Sequence, residues 1–398
     1  MNTELPSLIL KKGEDRRLRA GHLWIFSNEV DVKRTPLTAF EPGALAKVEA
    51  SGGRPLGLAY VNPHSLISAR LLTHGKSLPD FNALLRGRIR AALALRERLF
   101  DAPYYRLVFG ESDLLPGLVV DRFGDVLVMQ IATAGMEARR DAIIDVLRTE
   151  ISPRGIVIQN HMPIREFEGL PVGDAETIGE VPEKLKVIEN GLEFAVDLSA
   201  GQKTGWFFDQ RDNRAKIRRY VKDRRVLDVF SYAGGWGVTA ANAGASEVIC
   251  VDSSAGALAM ARENAALNGV NIETLEADAF KALADLRAAG EKFDVVIVDP
   301  PAFIKRRKDF KAGLAGYQRL NQAALQVIAA DGILVSCSCS HHLGEQDLLN
   351  AIQRSARHVD RYAQLLEWGH QAVDHPEHPA IPETRYLKSV TLRVLGND

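Results

Sequence analysis

Four apolar runs recur in the second half of this 398-residue chain: "RRVLDVF", "SEVICVD", "KFDVVIVD" and "DGILVSCS". Between them lie segments of helical composition such as "AGALAMARENAALNG". Continuous β-branched runs suit strands covered on both faces, and strands that alternate with helices pair in parallel. From about residue 186 onward the pattern therefore calls for an α/β architecture, a doubly wound parallel sheet. Ligands of such sheets sit beyond the carboxyl ends of the strands. The residues that end these four runs are where chemistry is expected.

A chain of this length divides into about two or three domains. Residues 1–76 read as a small β-rich module, with short strands in "SLILKK", "LAKVEA", "PLGLAYV" and "SARLL" separated by Gly and Pro turns. Residues 77–185 read as a central α+β insert. It opens with a helix over 80–100, for which Asp80 is the N-cap. A hairpin around Arg122-Phe123-Gly124 follows, then helix-like "MEARRDAIIDVLRTEI" and strand-like "GIVIQN". The Gly/Pro-punctuated passage from Pro171 to Pro182 is the expected linker to the domain 186–398.

The 46% apolar and 25% charged residues are those of a globular protein, and no apolar run approaches the roughly 18–20 residues of a membrane span. The opening "MNTELPSLILKKGEDRR" lacks the features of a signal peptide. Three cysteines form no disulfide framework and show no zinc spacing, so free thiols in a reducing cytoplasm are expected, with no metal. A net charge of −1 argues against unspecific polyanion binding but leaves room for basic patches. One such cluster contains Lys11, Lys12, Arg16, Arg17 and Arg19. A second is "RDNRAKIRRYVKDRR" at 211–225, and a third is "KRRKDFK", with Lys305, Arg306, Arg307, Lys308 and Lys311. Together they suit a nucleic-acid substrate, with Lys11, Arg16, Arg17, Lys305, Arg306 and Arg307 as candidate phosphate contacts.

The first run ends in Asp228-Val229-Phe230-Ser231-Tyr232-Ala233-Gly234-Gly235-Trp236-Gly237. Its glycines allow a tight turn and close approach to a ligand, and Asp228, Phe230, Tyr232, Gly234 and Gly237 are candidate cofactor contacts. Asp252 ends the second run, placed to accept from ribose hydroxyls. Asp278, followed by Ala279 in "LEADAF", is placed to accept from an adenine amino group. NAD and S-adenosylmethionine both fit this far. The GxGxxG that a pyrophosphate wants is absent, and a sulfonium cation suits a turn flanked by Asp228, so methyl transfer leads without being settled.

The third run ends in Asp299-Pro300-Pro301-Ala302-Phe303, where a flat base could stack on Phe303 while Asp299 and the Pro300 carbonyl meet its amino edge. In the fourth, Cys337 and Cys339 share one face, and Cys339 lies nearer the ligand-binding edge. If the base is cytosine, its C5 is too weak a nucleophile to take a methyl group unaided. A thiolate adding to C6 activates it. Cys339 is then the nucleophile, Cys337 a packing residue, and Asp299 the acid at N3.

With these blocks in view, the chain resembles the bacterial class I 23S rRNA cytosine-5 methyltransferase family, which joins a PUA domain to a Rossmann-like methyltransferase domain. "GHLWIFSNEV", "ESDLLPGLVVDRFGDVLVMQI", "GQKTGWFFDQRDNR" (201–214), "DVFSYAGGWG", "VDSS", "VDPPAF", "SCSCS" and "DHPEHP…YLKS" follow in family order over nearly the full length. The resemblance implies S-adenosylmethionine as cofactor, with Gln210 and Arg211 of the 201–214 block lining its site. It maps the family's nucleophile onto Ser338-Cys339-Ser340, and implies large-subunit rRNA as partner. "KRRKDFK" is more basic than that family's loop. Two rival readings remain: an amino-group methyltransferase on adenine or guanine, with Cys339 inert, and a non-catalytic RNA-binding ribosome assembly factor. His341, His342, His375 and His378 read as loop residues, Trp206, Phe207 and Phe208 as adenine stackers or core, and Glu111 as orienting the insert. An exposed β edge in the insert could pair across a homodimer.

Overall fold

The computed structural model describes residues 5–75, 80–198 and 205–396. Two compact units emerge. The first takes in the described residues up to Glu183 together with Asp374–Thr384, and the second those of 184–373 and from Arg385 on.

Two five-stranded sheets build the first unit. One holds β1 (Ser7–Ile9), β2 (Trp24–Phe26), β3 (Ala44–Glu49), β4 (Pro55–Val61) and β5 (Ile67–His74), in the order β1-β3-β4-β5-β2. The other holds β6 (Tyr104–Phe109), β7 (Leu118–Phe123), β8 (Val126–Ile131), β9 (Gly155–Ile158) and β10 (Glu176–Gly179), in the order β10-β9-β8-β7-β6. The helix Phe81–Leu99 begins at Asp80, whose side chain accepts from the Ala83 amide at 2.8 Å, as an N-cap should. Its Leu85 and Ile89 pack with Leu107, Val120, Leu127 and Met129 of the second sheet and with Leu58 and Tyr60 of the first, so one core runs through both sheets. The expected linker contains a strand: Glu176–Gly179 pairs antiparallel with β9 at the sheet edge. Its Gly and Pro neighbours hide a four-residue strand whose pairing is set by β9 and not by its own composition.

The second unit opens with a hairpin, β11 (Lys184–Glu189) and β12 (Leu192–Asp197). Its two-residue loop has Asn190 and Gly191 at φ +53° and +80°, the left-handed pair that matches strand twist. Asn264 of the helix Ala255–Leu267 and its C-cap Asn268 bond to the backbone of Ala195 and Glu193, seating the hairpin on that helix. That sheet contains β13 (Arg225–Val229), β14 (Glu247–Asp252), β15 (Glu273–Glu276), β16 (Phe293–Val298), β17 (Ile328–Ser338), β18 (Tyr362–Gly369) and β19 (Lys388–Leu395), in the order β15-β14-β13-β16-β17-β19-β18.

The five strands β13 to β17 are parallel, as expected, but β19 runs antiparallel to β17 and β18 antiparallel to β19. Alternate residues of each central strand enter separate cores. Leu227, Val229, Val296 and Val298 meet the helices Ala279–Ala288, Phe310–Val327 and Glu345–His358, while Val226, Val295, Ile297 and Cys337 meet the helix Gly235–Asn242 and its neighbours. Burial on both faces explains the unbroken apolar runs. Strand order reverses between β13 and β16, which makes their carboxyl ends the switch-point crevice.

Candidate active site

The chain leaves β13 through a strained turn. Phe230, Tyr232 and Gly234 all adopt left-handed backbone, at φ +66°, +48° and +78°. For the two non-glycine residues this costs on the order of 1–3 kcal/mol each, so neighbouring structure must enforce it. The enforcing contacts come from the end of β14. Phe230 and Ser231 amides donate to the Val251 carbonyl at 2.9 and 3.0 Å, and the Tyr232 amide donates to Asp252 Oδ2 at 2.9 Å. Asp252 Oδ1 accepts from the Ser254 amide at 2.9 Å. Asp252 thus rivets the turn, and it stays partly exposed at the crevice.

Asp228 lies fully buried beneath this turn. Its Oδ2 accepts from the Gly237 amide at 2.9 Å, and its Oδ1 has no partner among the described residues. Burial pushes its carboxyl up to about 8. A Cβ on Gly237 would sit 2.3 Å from Cys250 Sγ, so this glycine lets the helix start press against β14. Acidic groups under a turn that lacks GxGxxG, one with an orphaned oxygen, fit a ligand that carries a cation and no pyrophosphate. S-adenosylmethionine has that chemistry. Asp278 caps the helix Ala279–Ala288 through Oδ1, accepting from Phe280 and Lys281 amides, and is exposed beyond β15. Ala279 is buried, and its side chain belongs to the core cluster on that face of the sheet.

Residues 201–204 of the 201–214 block lie outside the described residues. Of the rest, Trp206 and Phe208 are core, with Trp206 tilted against Phe194 at 4.6 Å between centroids. Phe207 meets the Tyr232 ring edge-on at 5.6 Å, and Tyr232 Oη donates to the Gly205 carbonyl at 3.0 Å. Gln210 faces the end of β16: its Nε2 donates to Asp299 Oδ1 and Oδ2 at 3.0 and 2.9 Å. Trp236 Nε1 adds a bond to Asp299 Oδ2 at 3.0 Å. Burial outweighs these donors and raises the Asp299 carboxyl to about 6. Arg211 turns away from Asp299, its guanidinium 3.7 Å from Glu189 and over the Phe208 ring.

At the neighbouring strand end, Cys339 follows the last residue of β17 and is partly exposed, whereas Cys337 and Cys250 are buried. Its Sγ lies 4.0 Å from the Pro300 carbonyl oxygen, which brings the thiol beside Asp299-Pro300-Pro301. Burial raises the Cys337 thiol well above its ordinary value. The flanking serines form a hydroxyl chain: Ser338 Oγ donates to Tyr317 Oη at 2.8 Å, Tyr317 Oη and Ser340 Oγ are 2.8 Å apart, and the Ile304 amide donates to Ser340 Oγ at 3.1 Å. Phe303 leans on the Tyr317 ring at 4.7 Å and is half-buried. Lys305, Arg306 and Arg307 leave this mouth exposed, with Arg306 paired to Asp309 at 3.3 Å.

In the first unit, Arg16 is exposed and Lys11 Nζ donates to the Asn28 carbonyl. Arg17 is engaged by Glu29 at 2.7 Å. Glu111 accepts from Trp24 Nε1 at 2.8 Å, tying the insert to the β module. His375 bonds Asp374, His370 bonds Glu345, and His378 Nδ1 accepts from the Ala380 amide.

A family model described as S-adenosylmethionine-dependent methyltransferase matches residues 165–393. The chain belongs to that family. In this methyltransferase a second match, to a PUA-like domain, covers residues 8–74. Ribosomal RNA large subunit methyltransferase I of Salmonella arizonae is 37% identical over 397 residues, spanning 98% of both proteins. The protein of the same name from Klebsiella pneumoniae is 36% identical with the same coverage. A SAM-dependent methyltransferase structure from Streptococcus mutans covers 98% of this chain and 100% of its own, with a TM-score of 0.82 at 19% identity. A structure solved with SAH has a TM-score of 0.84 at 20% identity and the same coverage. Both show the shared fold.

Two residues of this methyltransferase escape the sequence reading. Glu189 is a buried carboxylate that receives Arg214 at 2.5 and 2.8 Å and Trp206 Nε1 at 2.9 Å, holding in place the helix Arg211–Ile217 that Gln210 precedes. The Asn190-Gly191 pair signals its hairpin. Lys388, a lone cation at the head of the apolar run "SVTLRVL", donates from Nζ to the Ser340 carbonyl at 2.7 Å.

Proposed function

We propose that this methyltransferase modifies cytosine C5 in large-subunit ribosomal RNA through a transient covalent bond to Cys339. The observation that carries it is the juxtaposition of Cys339, the partly exposed thiol, with the Asp299-Pro300-Pro301 strand end, Sγ to Pro300 O at 4.0 Å. The names of the curated relatives supply the RNA class, and a PUA-like module supplies an RNA-holding surface with Arg16 and Lys11 outward. Such a substrate places the enzyme in the cytoplasm.

S-adenosylmethionine would be held at the β13 turn by Asp228, Tyr232, Gly234, Gly237, Asp252 and Asp278, and would supply an electrophilic methyl on sulfonium. The Cys339 thiolate bonds to C6 of the base, and the C5–C6 π electrons move toward C5 and the ring. Asp299, with its carboxyl at about 6, supplies a proton at N3 and takes it back. C5 would take the methyl as the sulfonium S–CH3 bond breaks, its electron pair staying on sulfur to leave a neutral thioether; the C5 proton then leaves to solvent base, the C5–C6 double bond re-forms, and the C6–S bond breaks to return the thiolate. Phe303 stacks the base, and Lys305, Arg306 and Arg307 meet phosphates. An amino-group reaction would instead have Asp299 accept from the base's exocyclic amine with Cys339 inert; the partly exposed thiol beside Asp299-Pro300-Pro301 favours the C5 reading.

The test uses unmodified large-subunit rRNA and methyl-labelled S-adenosylmethionine, with wild type and Cys339→Ala in parallel. Digestion to nucleosides should give label in 5-methylcytosine for wild type and none for the variant. Label in a purine, or a variant as active as wild type, would sink the thiol mechanism. RNA and cofactor binding with no methylated nucleoside would favour an assembly factor.

A further inference from the structure

We propose that Lys388 is the positioning residue for Cys339: its ammonium holds the Ser338–Cys339–Ser340 corner by the backbone and supplies the positive charge that keeps the thiol ionised. The inference rests on the reading of Cys339 as nucleophile. Lys388 begins β19 and sits in register opposite Ser338 of β17, one residue before the thiol. It is only 5% exposed. Its Nζ reaches past the strand end to the Ser340 carbonyl at 2.7 Å, and no carboxylate ion-pairs with it among the described residues. Burying an ammonium against one neutral carbonyl is costly unless an anion rewards it.

The corner itself is held rigidly. The Ser340 amide donates to Ser338 Oγ at 3.1 Å, and both serine hydroxyls meet Tyr317 Oη. Cys339 therefore has little freedom to move away from the cation. Lys305, Arg306 and Arg307 are exposed cations of the neighbouring loop, with Arg306 paired to Asp309. Cys337 on the same strand and Tyr317 on the helix behind are both raised by burial and stay neutral. Asp299 at the end of β16 is acidic. Arg385 is paired with Glu345, and those two flank Lys388. His341 and His342 follow the corner and face each other at 5.1 Å between centroids. Half-burial alone would raise the Cys339 thiol, and a neighbouring cation lowers it. Burial lowers the lysine itself to about 8, so its charge is present at neutral pH and lost above that.

The experiment follows alkylation of Cys339 by iodoacetamide against pH, read by peptide mass spectrometry in the intact protein, for wild type, Lys388→Met and Lys388→Arg. Wild type should titrate below the ordinary cysteine value of about 8.5. Lys388→Met should shift the midpoint up by about one unit or more, a roughly tenfold slower alkylation at pH 7. Lys388→Arg should restore most of it, and the gap between wild type and Lys388→Met should close above pH 8. In rRNA methylation Lys388→Met should lower kcat and leave KM for RNA near its wild-type value. A wild-type midpoint at or above about 8.5 overturns the proposal without any variant. Equal midpoints in wild type and Lys388→Met, with Cys339→Ala inactive, overturn it while the thiol mechanism stands. An active Cys339→Ala overturns both.

Discussion

Two carboxyl groups in the crevice, Asp228 and Asp299, are pushed up to about 8 and about 6 by burial. For Asp228 the consequence has a definite sign. An unfolded chain releases this proton near pH 3.9, and the folded chain holds it to about pH 8. Between those values the folded state binds more protons, so this group's contribution to stability is full below about pH 4 and is lost as pH rises toward 8. The slope approaches about 1.4 kcal/mol per pH unit. Asp228→Asn should flatten it. Urea denaturation of the ligand-free enzyme at pH 5 and pH 8 should show wild type losing more stability than the variant. Equal losses would mean that Asp228 is already ionised at pH 5. The same residue shows how far sequence reaches. That an acid ends the first strand is plain from "LDVFSY", but its burial, with Gly237 and Cys250 of other elements closing over Oδ2 and with Oδ1 left without a partner among the described residues, depends on the tertiary structure.

The β13 turn depends on contacts between elements. The helix Gly235–Asn242 starts flush against β14 because Gly237 has no side chain, and its amide thereby reaches Asp228. Gly237→Ala forces a methyl into Cys250 Sγ, an overpacking that costs about 1–3 kcal/mol and pulls the amide from its carboxylate. The expected result is a lower melting temperature and weaker S-adenosylmethionine binding by calorimetry. Adding Cys250→Ala opens the clashing space and should recover most of both losses. No recovery would mean that the glycine is needed for backbone freedom instead. Which elements were readable follows the same logic. The four central strands announce themselves because burial on both faces leaves unbroken apolar runs. The outer ones do not. β18 keeps Tyr362, Leu365 and Leu366 exposed and mixed with polar residues, and β10 is a four-residue edge among glycines and prolines, so neither carries a clean period.

At the scale of the molecule, the first unit binds its β module and its insert into one body by contacts far apart in sequence, which no local pattern reveals. Arg96, fully buried, grips Asp113 at 2.6 and 2.8 Å and donates to the Asp374 carbonyl 278 residues away, so 374–384 joins this unit although in sequence it lies between β18 and β19 of the second. Glu168 is the matching hub between the sheets. Its carboxylate accepts from Arg70 at 3.0 Å and Asn62 at 2.8 Å on one side, and from the Ala134 amide at 3.2 Å on the other. Only 3% of it is exposed, and Arg70 is buried with it. Glu168→Ala leaves the Arg70 cation with Glu111 at 3.8 Å as its remaining partner, which costs about 3–5 kcal/mol for a buried pair broken from one side. Because the hub joins both sheets, the loss cannot stay in one. Hydrogen exchange should show β4 and β5 losing protection together with β8 and β9, while β13 to β17 of the second unit keep theirs. Loss confined to β4 and β5 would show that the β module opens by itself, and that the continuous core does not make the two sheets one cooperative body.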